Sequence, residues 1–300
     1  MADDQQRYRA PQQDADSGSI DLSVVIPVYN EAAIMAGAVE ELIAGLRGHR
    51  PEMTFEVILA ENGSSDGTAE KAQVLTATYP ELQVLSLPEP NYGAALRRGI
   101  LTARGRFVIC DEIDLCDLDF YDRALPLLES DQADLVIGSK AMPGAQDTRP
   151  MIRRAATQVI NGMLRILLGF HGTDTHGLKA FQSERLATVA RQCRVERDLF
   201  SSEFVIRAQR ARIRVTEIPI HIQEKRTPSI HLFRRVPRVL SNLAYLFYAL
   251  RIRKEDASNE RRQPDGHDAA DQKDEPHTPD QEDERDALPR PGEPNEKSKS

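Results

Sequence analysis

Three polar segments of the sequence carry side chains that could bind or transform a substrate, and each one follows an apolar run. They are PVYNE (27–31), ENGSSDGT (61–68) and CDEIDLCD (110–117). Carboxylates in such loops can accept hydrogen bonds from ribose hydroxyls or from the N–H groups of a base. The acidic third segment is costly at the end of a buried strand unless something compensates its charge. It therefore favours a divalent cation, Mg²⁺ or Mn²⁺, that bridges its carboxylates and a diphosphate, with a solvated strand end as the alternative.

The apolar runs that precede these segments are predicted to be strands of one sheet. Strands are predicted at 22–28, 55–60, 82–87, 106–110 and 134–138, and helices at 31–47, 67–78, 93–104 and 119–129. This alternation is typical of an α/β fold with a mostly parallel sheet that helices cover on both faces. Ligands of such sheets bind beyond the carboxyl ends of the strands, where the three polar segments would lie together.

A second group of elements follows, and the composition changes at both ends of the chain. Helices are predicted at 151–168, 184–191 and 200–210, a Gly-rich loop at 169–177 and a strand at 212–220. The predicted organisation is a disordered leader (1–20), an α/β domain (21–232), a basic amphipathic helix (233–254) and an acidic disordered tail (255–300). The tail has almost no large apolar residues, so it cannot bury enough surface to offset the entropy of ordering.

The charge of the chain is concentrated in that tail. The formal net charge is -8, and residues 255–300 alone carry 15 acidic and 7 basic side chains. The remaining chain is balanced, which argues against a nucleic-acid-binding protein, since those usually show a basic surface. The three cysteines have no metal-like spacing and fit a reduced, cytoplasmic setting. The polar N-terminus does not read as a signal peptide, and no apolar run reaches the length of a membrane span.

The first two segments, followed by PNYGAALRRGI (90–100), resemble the family-2 glycosyltransferases of the GT-A fold. The resemblance implies that a nucleotide-sugar donor is held by Pro27, Tyr29, Glu31, Glu61 and Asn62. The family usually has two Asp residues where this chain has the last two of these. The family's D-x-D motif corresponds to Glu112 and Asp114, which the resemblance makes the metal ligands, with Asp114 essential for transfer. Asp111, one position earlier, is a further candidate in contact with the donor.

Within that family the chain is most similar to the polyprenyl-phosphate sugar synthases, typified by dolichyl-phosphate mannose synthase. The matching features are GSK (138–140), Arg153 with Thr157, DTHGLKAF (174–181), Glu203, EIPI (217–220) and EKRTPSI (224–230). This resemblance implies transfer of a hexose, from a donor of the GDP-mannose or UDP-glucose type, to a polyprenyl phosphate. Lys140, Arg153 and Thr157 would bind the acceptor phosphate, and Lys140 and Arg153 would assist transfer. Lys179 and Arg226 are further cationic candidates. Cations that face phosphate groups form strong charge-assisted hydrogen bonds.

The helix predicted at 235–254 favours a membrane surface. Its apolar residues Val236, Leu240, Leu243, Phe247 and Leu250 recur at helical spacing, and basic residues flank them on both sides. A basic amphipathic helix suits an anionic membrane, here the inner face of the cytoplasmic membrane. The alternative is a helix that packs on the domain or forms the contact of a homo-oligomer.

Two other functions remain open from the sequence. One is a glycosyltransferase with a soluble or glycan acceptor, which would need a carboxylate base, and Asp117 and Glu203 are the candidates. The other is a catalytically silent nucleotide-sugar-binding protein, which the departures from the family pattern at Asn62 and Glu112 suggest.

Overall fold

A computed structural model describes residues 19–147, 150–196, 199–222 and 232–252 of the chain. The predicted tail, Arg226 with its EKRTPSI segment and all but the end of the predicted leader lie outside these residues. The strands are β1 Leu22–Val28, β2 Phe55–Asn62, β3 Leu82–Leu87, β4 Phe107–Cys110, β5 Leu135–Ser139, β6 Gln146–Asp147, β7 Lys179–Gln182, β8 Val215–Pro219 and β9 His221–Ile222. The helices are α1 Met35–His49, α2 Thr68–Thr76, α3 Tyr92–Thr102, α4 Leu118–Glu129, α5 Met151–Leu168, α6 Ser183–Gln192, α7 Phe200–Arg210 and α8 Leu232–Phe247, which continues as a π-helical turn, Tyr248–Ile252.

Seven of these strands form one sheet, in the order β3-β2-β1-β4-β7-β5-β8. The pairs β3–β2, β2–β1, β1–β4 and β5–β8 are parallel, whereas β7 is antiparallel to both β4 and β5. All strands except β7 therefore end at the same edge of the sheet, and β7 begins there. The mostly parallel α/β sheet predicted from the sequence is confirmed.

Helices cover both faces of the sheet. Successive side chains of a strand point to opposite faces, so each strand packs against helices on both sides. Val24, Ile26 and Val28 of β1 pack into one apolar cluster with residues of α1 and α4. Val25 of the same strand packs into a second cluster, which contains residues of α3, α6 and α7. The strands are thus apolar on both faces, as the continuous apolar runs predicted.

Helix α8 packs its apolar side onto the second of these clusters. Leu243 and Leu246 are 5% and 0% exposed, and they share the cluster with Leu164 and Leu168 of α5. Leu240, in contrast, is 49% exposed. The apolar stripe predicted along this helix is therefore divided between the core and the surface. None of the helices in the described ranges combines the length and the apolarity that crossing a bilayer requires.

The sequence did not predict strand β7, and its entry into the sheet depends on one glycine. Gly177 lies two residues before β7, against the backbone of β5, so that a Cβ at this position would be 1.7 Å from the carbonyl oxygen of Gly138. The neighbouring carbonyl of Leu178 accepts a hydrogen bond of 2.9 Å from the amide of Gly138. The two backbones are thus too close to accommodate any side chain at position 177.

We predict that Gly177→Ala destabilises the fold, because the new methyl group meets rigid backbone and not a side chain that can move. Forcing a methyl group into a packed site typically costs about 1–3 kcal/mol or more. The matched control is Gly162→Ala in α5, where a Cβ meets nothing within 4 Å. That substitution should stabilise the helix by about 0.5–1 kcal/mol. Denaturant unfolding of both variants measures the difference, and equal stabilities would contradict the close approach of β5 and β7.

Candidate active site

The loops after β1 and β2 are joined to each other by short hydrogen bonds. Asn30, in a left-handed conformation with φ 55°, accepts a bond of 2.9 Å from the amide of Ser65 and donates its own amide to Ser64 Oγ at 3.0 Å. The amide of Glu31 donates to Thr68 Oγ1 at 2.8 Å. The PVYNE and ENGSSDGT segments therefore form one continuous wall at the carboxyl edge of the sheet.

The predicted donor residues divide into two groups within this wall. Glu61 is 2% exposed, and its carboxylate accepts a bond of 2.6 Å from the amide of Ser64. Asn62 is 5% exposed, and its Oδ1 accepts a bond of 2.5 Å from the amide of Asn91. Both side chains hold the loops in place, whereas Tyr29 is 44% exposed at the end of β1. Pro27 and Glu31 on either side of Tyr29 are partly buried.

The acidic segment after β4 is organised around Asp111, which points into the protein. Its carboxylate accepts bonds from Tyr121 Oη at 2.6 Å, from the amide of Glu112 at 2.6 Å and from the amide of Asp117 at 3.2 Å. Burial raises the pKa of Asp111 to about 7, against the opposing effect of the Tyr121 hydrogen bond. Asp117 in turn caps α4 by accepting from the amide of Phe120 at 3.1 Å. Both carboxylates thus hold the shape of the loop.

Glu112 and Asp114 are the carboxylates of this segment that lie nearer to solvent. Glu112 is exposed and Asp114 is partly buried. Desolvation by the surrounding walls raises the pKa of Glu112, and the negative charge of Asp114 adds to this, while Lys140 opposes it. Two carboxylates and one ammonium group therefore lie close enough to affect one another's charge.

These two carboxylates fit a divalent cation that a phosphorylated ligand also coordinates. Mg²⁺ sites typically use one or two carboxylates and complete the coordination with water and substrate phosphates. In the described part of the chain, no three His, Cys, Asp or Glu side chains cluster as a metal-binding group. The residues present therefore fit a metal ion shared with a diphosphate better than a metal site made by protein ligands alone.

On the other side of β4, the reversed strand β7 brings Lys179 to the same edge. Lys179 pairs in register with Cys110 of β4 and with Ile137 of β5. It is 3% exposed, and its Nζ donates to the carbonyl of Gly177 at 2.8 Å. Burial lowers the pKa of Lys179 to about 8. Lys179 is therefore part of the inner wall of the site.

A second cation, Lys140, extends from the end of β5 beside a buried carboxylate. Its Nζ lies 3.5 Å from Asp174 Oδ2. Asp174 is fully buried, which by itself raises its pKa, but Lys140 and a hydrogen bond from the amide of His176 lower the pKa below its ordinary value. Asp174 thus carries a negative charge that holds the ammonium group of Lys140 at this end of the sheet.

Lys140 also lines a pocket of about 500 Å³ between the end of β5 and the first half of α5. Thr157 and Arg154 contribute polar groups to its lining, and the other lining residues are Ala141, Met142, Ala145, Met151, Ala155 and Gln158. Lys140 and Thr157, two of the residues predicted to bind the acceptor, thus line the same pocket. Arg153 lies in α5, but its side chain is outside the described part. Sequence reasoning missed Arg154, although it belongs to the same Arg-Arg pair.

The loop that carries Asp174 is fixed by Glu217 of β8. The carboxylate of Glu217 accepts bonds from the amide of Thr173 at 2.8 Å and from Thr173 Oγ1 at 2.7 Å. It also accepts from the amide of Asp174 at 3.3 Å, and Thr173 Oγ1 lies 2.6 Å from Ser139 Oγ. Glu217 thereby links this loop to the ends of β8 and β5, next to Lys140.

One further residue beside the acidic segment, Tyr92, was not predicted from the sequence. Tyr92 begins α3 and hydrogen-bonds to Ser201 in α7, and its pKa is raised by burial and by the nearby charge of Glu112. The PNYGAALRRGI segment contains Tyr92, so the motif identified the region without a role for this residue.

Glu203, a candidate base for a soluble acceptor, is fully buried in α7. Its carboxylate accepts from the amides of Arg194 and Val195 at 2.8 Å and 2.6 Å and from Arg207 Nε at 2.7 Å. These bonds anchor the segment before α7. Asp117, the other candidate base, is partly buried, and its Oδ1 caps α4.

The chain resembles known proteins in sequence and in fold. The sequence model of the family described as glycosyl transferase family 2 matches residues 23–182. Glycosyltransferase AglD of Haloferax volcanii is 29% identical over 242 residues, which cover 80% of this chain and 39% of that protein. Dolichyl-phosphate beta-glucosyltransferase ALG5C of Trichomonas vaginalis is 28% identical over 212 residues, which cover 67% of this chain and 63% of that protein. The chain therefore spans less than two thirds of the length of either relative.

A third relative and two solved structures also resemble this chain over most of its length. Dolichyl-phosphate beta-glucosyltransferase of Drosophila melanogaster is 29% identical over 224 residues, 70% of this chain and 69% of that protein. Glucosyl-3-phosphoglycerate synthase of Mycobacterium tuberculosis, solved with Mn²⁺, UDP-glucose and phosphoglyceric acid, superposes with a TM-score of 0.54 at 20% identity, covering 76% of this chain and 80% of that chain. Mannosyl-3-phosphoglycerate synthase of Rubrobacter xylanophilus gives a TM-score of 0.53 at 16% identity, covering 79% and 77%. These structures share the fold and confirm the predicted GT-A-like architecture.

We predict that Glu217→Ala loosens the loop at 172–174, because the amides of Thr173 and Asp174 lose their acceptor. Leaving partly buried donors unsatisfied typically costs about 1–3 kcal/mol. Hydrogen exchange of these two amides should accelerate, and the free energy of unfolding should fall. Glu40→Ala, on the exposed side of α1, is the control and should change neither. Unchanged exchange at 173 and 174 in Glu217→Ala would contradict the role of Glu217.

Proposed function

The chain belongs to glycosyl transferase family 2, and on this basis we propose that it transfers a hexose from a nucleotide-sugar to the phosphate of a polyprenyl-phosphate lipid. The observation that carries the proposal is the pocket beside α5, in which Lys140 and Arg154 stand among Ala and Met side chains. Such a lining matches a ligand with a charged phosphate and an apolar chain. The dolichyl-phosphate beta-glucosyltransferases among the relatives are named for an acceptor of this class.

The donor would bind across the carboxyl ends of β1, β2 and β4. Tyr29 offers an exposed aromatic ring at the end of β1, and Pro27 and Glu31 flank it. Glu61 and Asn62 would contribute by fixing the loops that contact the base and ribose, since their side chains already bind backbone amides. The hexose is proposed to come from a UDP-glucose or GDP-mannose type of donor.

Glu112 and Asp114 would hold Mg²⁺ or Mn²⁺ together with the diphosphate of the donor. A bound divalent ion stabilises the negative charge that develops on a leaving diphosphate. Asp111 and Tyr121 would position these two ligands, because their hydrogen bond holds the loop from inside. The chain thus supplies a preshaped acidic loop for the ion.

The acceptor side requires little proton transfer, because a phosphate monoester oxygen is already ionised at neutral pH. This agrees with the structure, in which Glu203 and Asp117 are engaged in hydrogen bonds to backbone amides. Lys140 and Arg154, with Thr157 and in addition Arg153 as the sequence suggests, would bind and orient the acceptor phosphate. Lys179 would add positive charge from behind the acidic loop, since its Nζ is committed to the carbonyl of Gly177.

A lipid acceptor places the proposed reaction at a membrane surface. The cytoplasmic side of that membrane and a homo-oligomeric state remain predictions from the sequence.

We predict that Lys140→Ala and Arg154→Ala weaken the use of polyprenyl phosphate and spare donor binding. Loss of one charge-assisted hydrogen bond costs about 1.5–3 kcal/mol, or roughly 10- to 150-fold in kcat/KM for the acceptor. Arg191→Ala, an exposed cation on α6, is the matched control and should behave as the wild type. The measurement is transfer of radiolabelled hexose to a short polyprenyl phosphate, with donor affinity determined separately by calorimetry.

The same assay separates the competing functions. Transfer to a soluble phosphorylated acceptor or a glycan, with none to polyprenyl phosphate, would replace the proposed acceptor. Nucleotide-sugar binding with no transfer and no donor hydrolysis, with or without Mn²⁺, would identify a silent binding protein.

We predict that Asp114→Asn weakens Mn²⁺-dependent binding of UDP or GDP by at least about tenfold, because a direct ligand is expected to matter at least as much as an outer-shell partner. Thermal stability should be unchanged, since Asp114 is only partly buried at the loop surface. Asp119→Asn, whose carboxylate forms an exposed ion pair with Arg123 in α4, is the isosteric control. If Asp114→Asn binds Mn²⁺ and nucleotide as the wild type does, the assignment of Asp114 as a metal ligand is wrong.

A further inference from the structure

Helix α5 displays an apolar face to solvent, and we infer that this face seats the protein on an anionic lipid bilayer with the acceptor pocket opening beside it. The inference rests on the proposed function, because it names the surface through which a lipid acceptor would be reached. The α5 stripe is defined here as Ile152, Val159, Ile166 and Leu167. The sequence pointed instead to the helix at 235–254.

The exposure of the α5 stripe is unusual for a globular surface. Ile166 is 83% exposed, Val159 61% and Ile152 52%, and Leu167 is 37% exposed. These large side chains lie within about four turns of one helix, whereas Val74 is a comparable exposed residue on a different helix, α2. Contiguous exposed apolar residues mark a surface that binds a partner or a membrane.

The spacing of the stripe places most of its side chains on one side of α5. Ile152, Val159 and Ile166 are seven residues apart, so they lie on nearly the same side of the helix. Leu164 and Leu168 point to the other side and are buried in the second apolar cluster. The helix is therefore anchored to the domain by one side and presents the other side outward.

The charge of α5 favours anionic lipid. The sequence of its 18 residues, MIRRAATQVINGMLRILL, contains three Arg residues and no acidic residue. Each cation near an anionic membrane contributes attraction that ionic strength screens. An apolar face on a purely basic helix is the pattern expected of an element that lies in the membrane interface.

The position of the acceptor pocket favours a lipid surface over a second protein. Met151, Arg154, Ala155 and Gln158 of the same helix line the pocket. Ala155 of this lining is three residues from Ile152 and four from Val159, the spacing at which helical side chains are neighbours, so the apolar lining of the pocket adjoins the stripe. A protein partner on this face would cover the entrance that the acceptor must use, whereas a bilayer would deliver the acceptor to it.

Helix α8, which the sequence indicated as the membrane-binding element, is less suited to this role along its predicted stripe. Leu243 and Leu246 are buried against the domain, so they cannot also enter a bilayer. Leu240, Tyr245 and Tyr248 remain about half exposed. Among the side chains of the two helices that the structure describes, the most exposed apolar ones lie on α5.

The test is co-flotation of the full chain with vesicles of phosphatidylcholine alone and of phosphatidylcholine mixed with phosphatidylglycerol. The wild type should bind the mixed vesicles at low ionic strength and be released at high ionic strength. Val159→Glu and Ile166→Glu should each reduce binding roughly tenfold or more, since they remove apolar contact and add a charge that anionic lipid repels. Val74→Glu is the matched control: Val74 is 70% exposed on α2, and α2 packs on the cluster at the opposite face of the sheet from α5. It should bind as the wild type does.

Transfer assays with two acceptors separate this inference from the proposed function. With a short, water-soluble prenyl phosphate, Ile166→Glu should match the wild type, because Ile166 does not line the pocket. With a polyprenyl phosphate embedded in anionic vesicles, its activity should fall in proportion to its binding. If neither the wild type nor any variant transfers to either acceptor, yet Val159→Glu and Ile166→Glu lose vesicle binding and Val74→Glu keeps it, the proposed function fails and the membrane surface stands.

Three results would overturn the inference. One is a wild type that ignores anionic vesicles at low ionic strength. Another is equal vesicle binding by Ile166→Glu and Val74→Glu. The third is a wild-type dimer in analytical ultracentrifugation that Ile166→Glu converts to a monomer, which would make the α5 stripe an interface between copies of this chain.

Discussion

Strand β7 is antiparallel to both of its neighbours, β4 and β5. Its direction determines which charged side chains meet at the carboxyl edge of the sheet. Because it begins where β4 and β5 end, Lys179 lies beside Cys110 at the edge where the donor loops also meet. The same reversal brings the loop with Asp174 directly before β7, so that Asp174 reaches Lys140 at the end of β5. All of this depends on the close approach of Gly177 to Gly138, without which β7 could not enter between its neighbours. A backbone contact thus places the cations of the site relative to its carboxylates.

The two edges of the sheet use charged residues in opposite ways. At the amino edge, Glu56 is buried and accepts bonds from the backbone and guanidinium of Arg104. Asp134, also at that edge, is held by Arg214 and Arg185, and the Arg214 hydrogen bond lowers its pKa. The buried carboxylates at this edge are thus neutralised by arginines that remain partly exposed to solvent. At the carboxyl edge, desolvation and the negative charge of Asp114 raise the pKa of Glu112, while Lys140 opposes the rise, so this charge is balanced differently from those at the amino edge.

Much of the fold followed from the sequence, because buried strands and amphipathic helices leave strong apolar patterns. The predicted bounds of β1, β3, α5 and α7 coincide with the observed ones. Strand β7 was missed because KAFQ has only four residues and begins with a lysine, which propensity assigns to a surface. Its pairing is decided by distant backbone contacts that no local pattern records.

The motifs predicted where the candidate site lies, but they did not predict the role of each side chain in it. Two predicted donor residues, Glu61 and Asn62, are committed to backbone amides, and motif matching cannot distinguish a residue that binds a ligand from one that holds a loop. Arg154 was passed over because the motif matched its neighbour. The predicted roles of Arg153 and Arg226 lie outside the side chains that the structure describes. The spacing of apolar residues at 235–254 indicates an amphipathic helix, but spacing alone does not reveal that Leu243 faces the core.

The hydrogen bond from Tyr121 to Asp111 supports the acidic loop from inside the protein. The carboxylates of Glu112 and Asp114 do not take part in this bond. Asp111 and Asp117 accept bonds from backbone amides of the loop, and these bonds do not involve the side chains at positions 112 and 114. An exchange of Asp for Glu at position 112 adds one methylene to a side chain and leaves these hydrogen bonds in place. The support of the loop and the side chains that it displays can then change separately, which gives a physical reason why Glu112 can stand where the resemblance to family 2 leads one to expect aspartate.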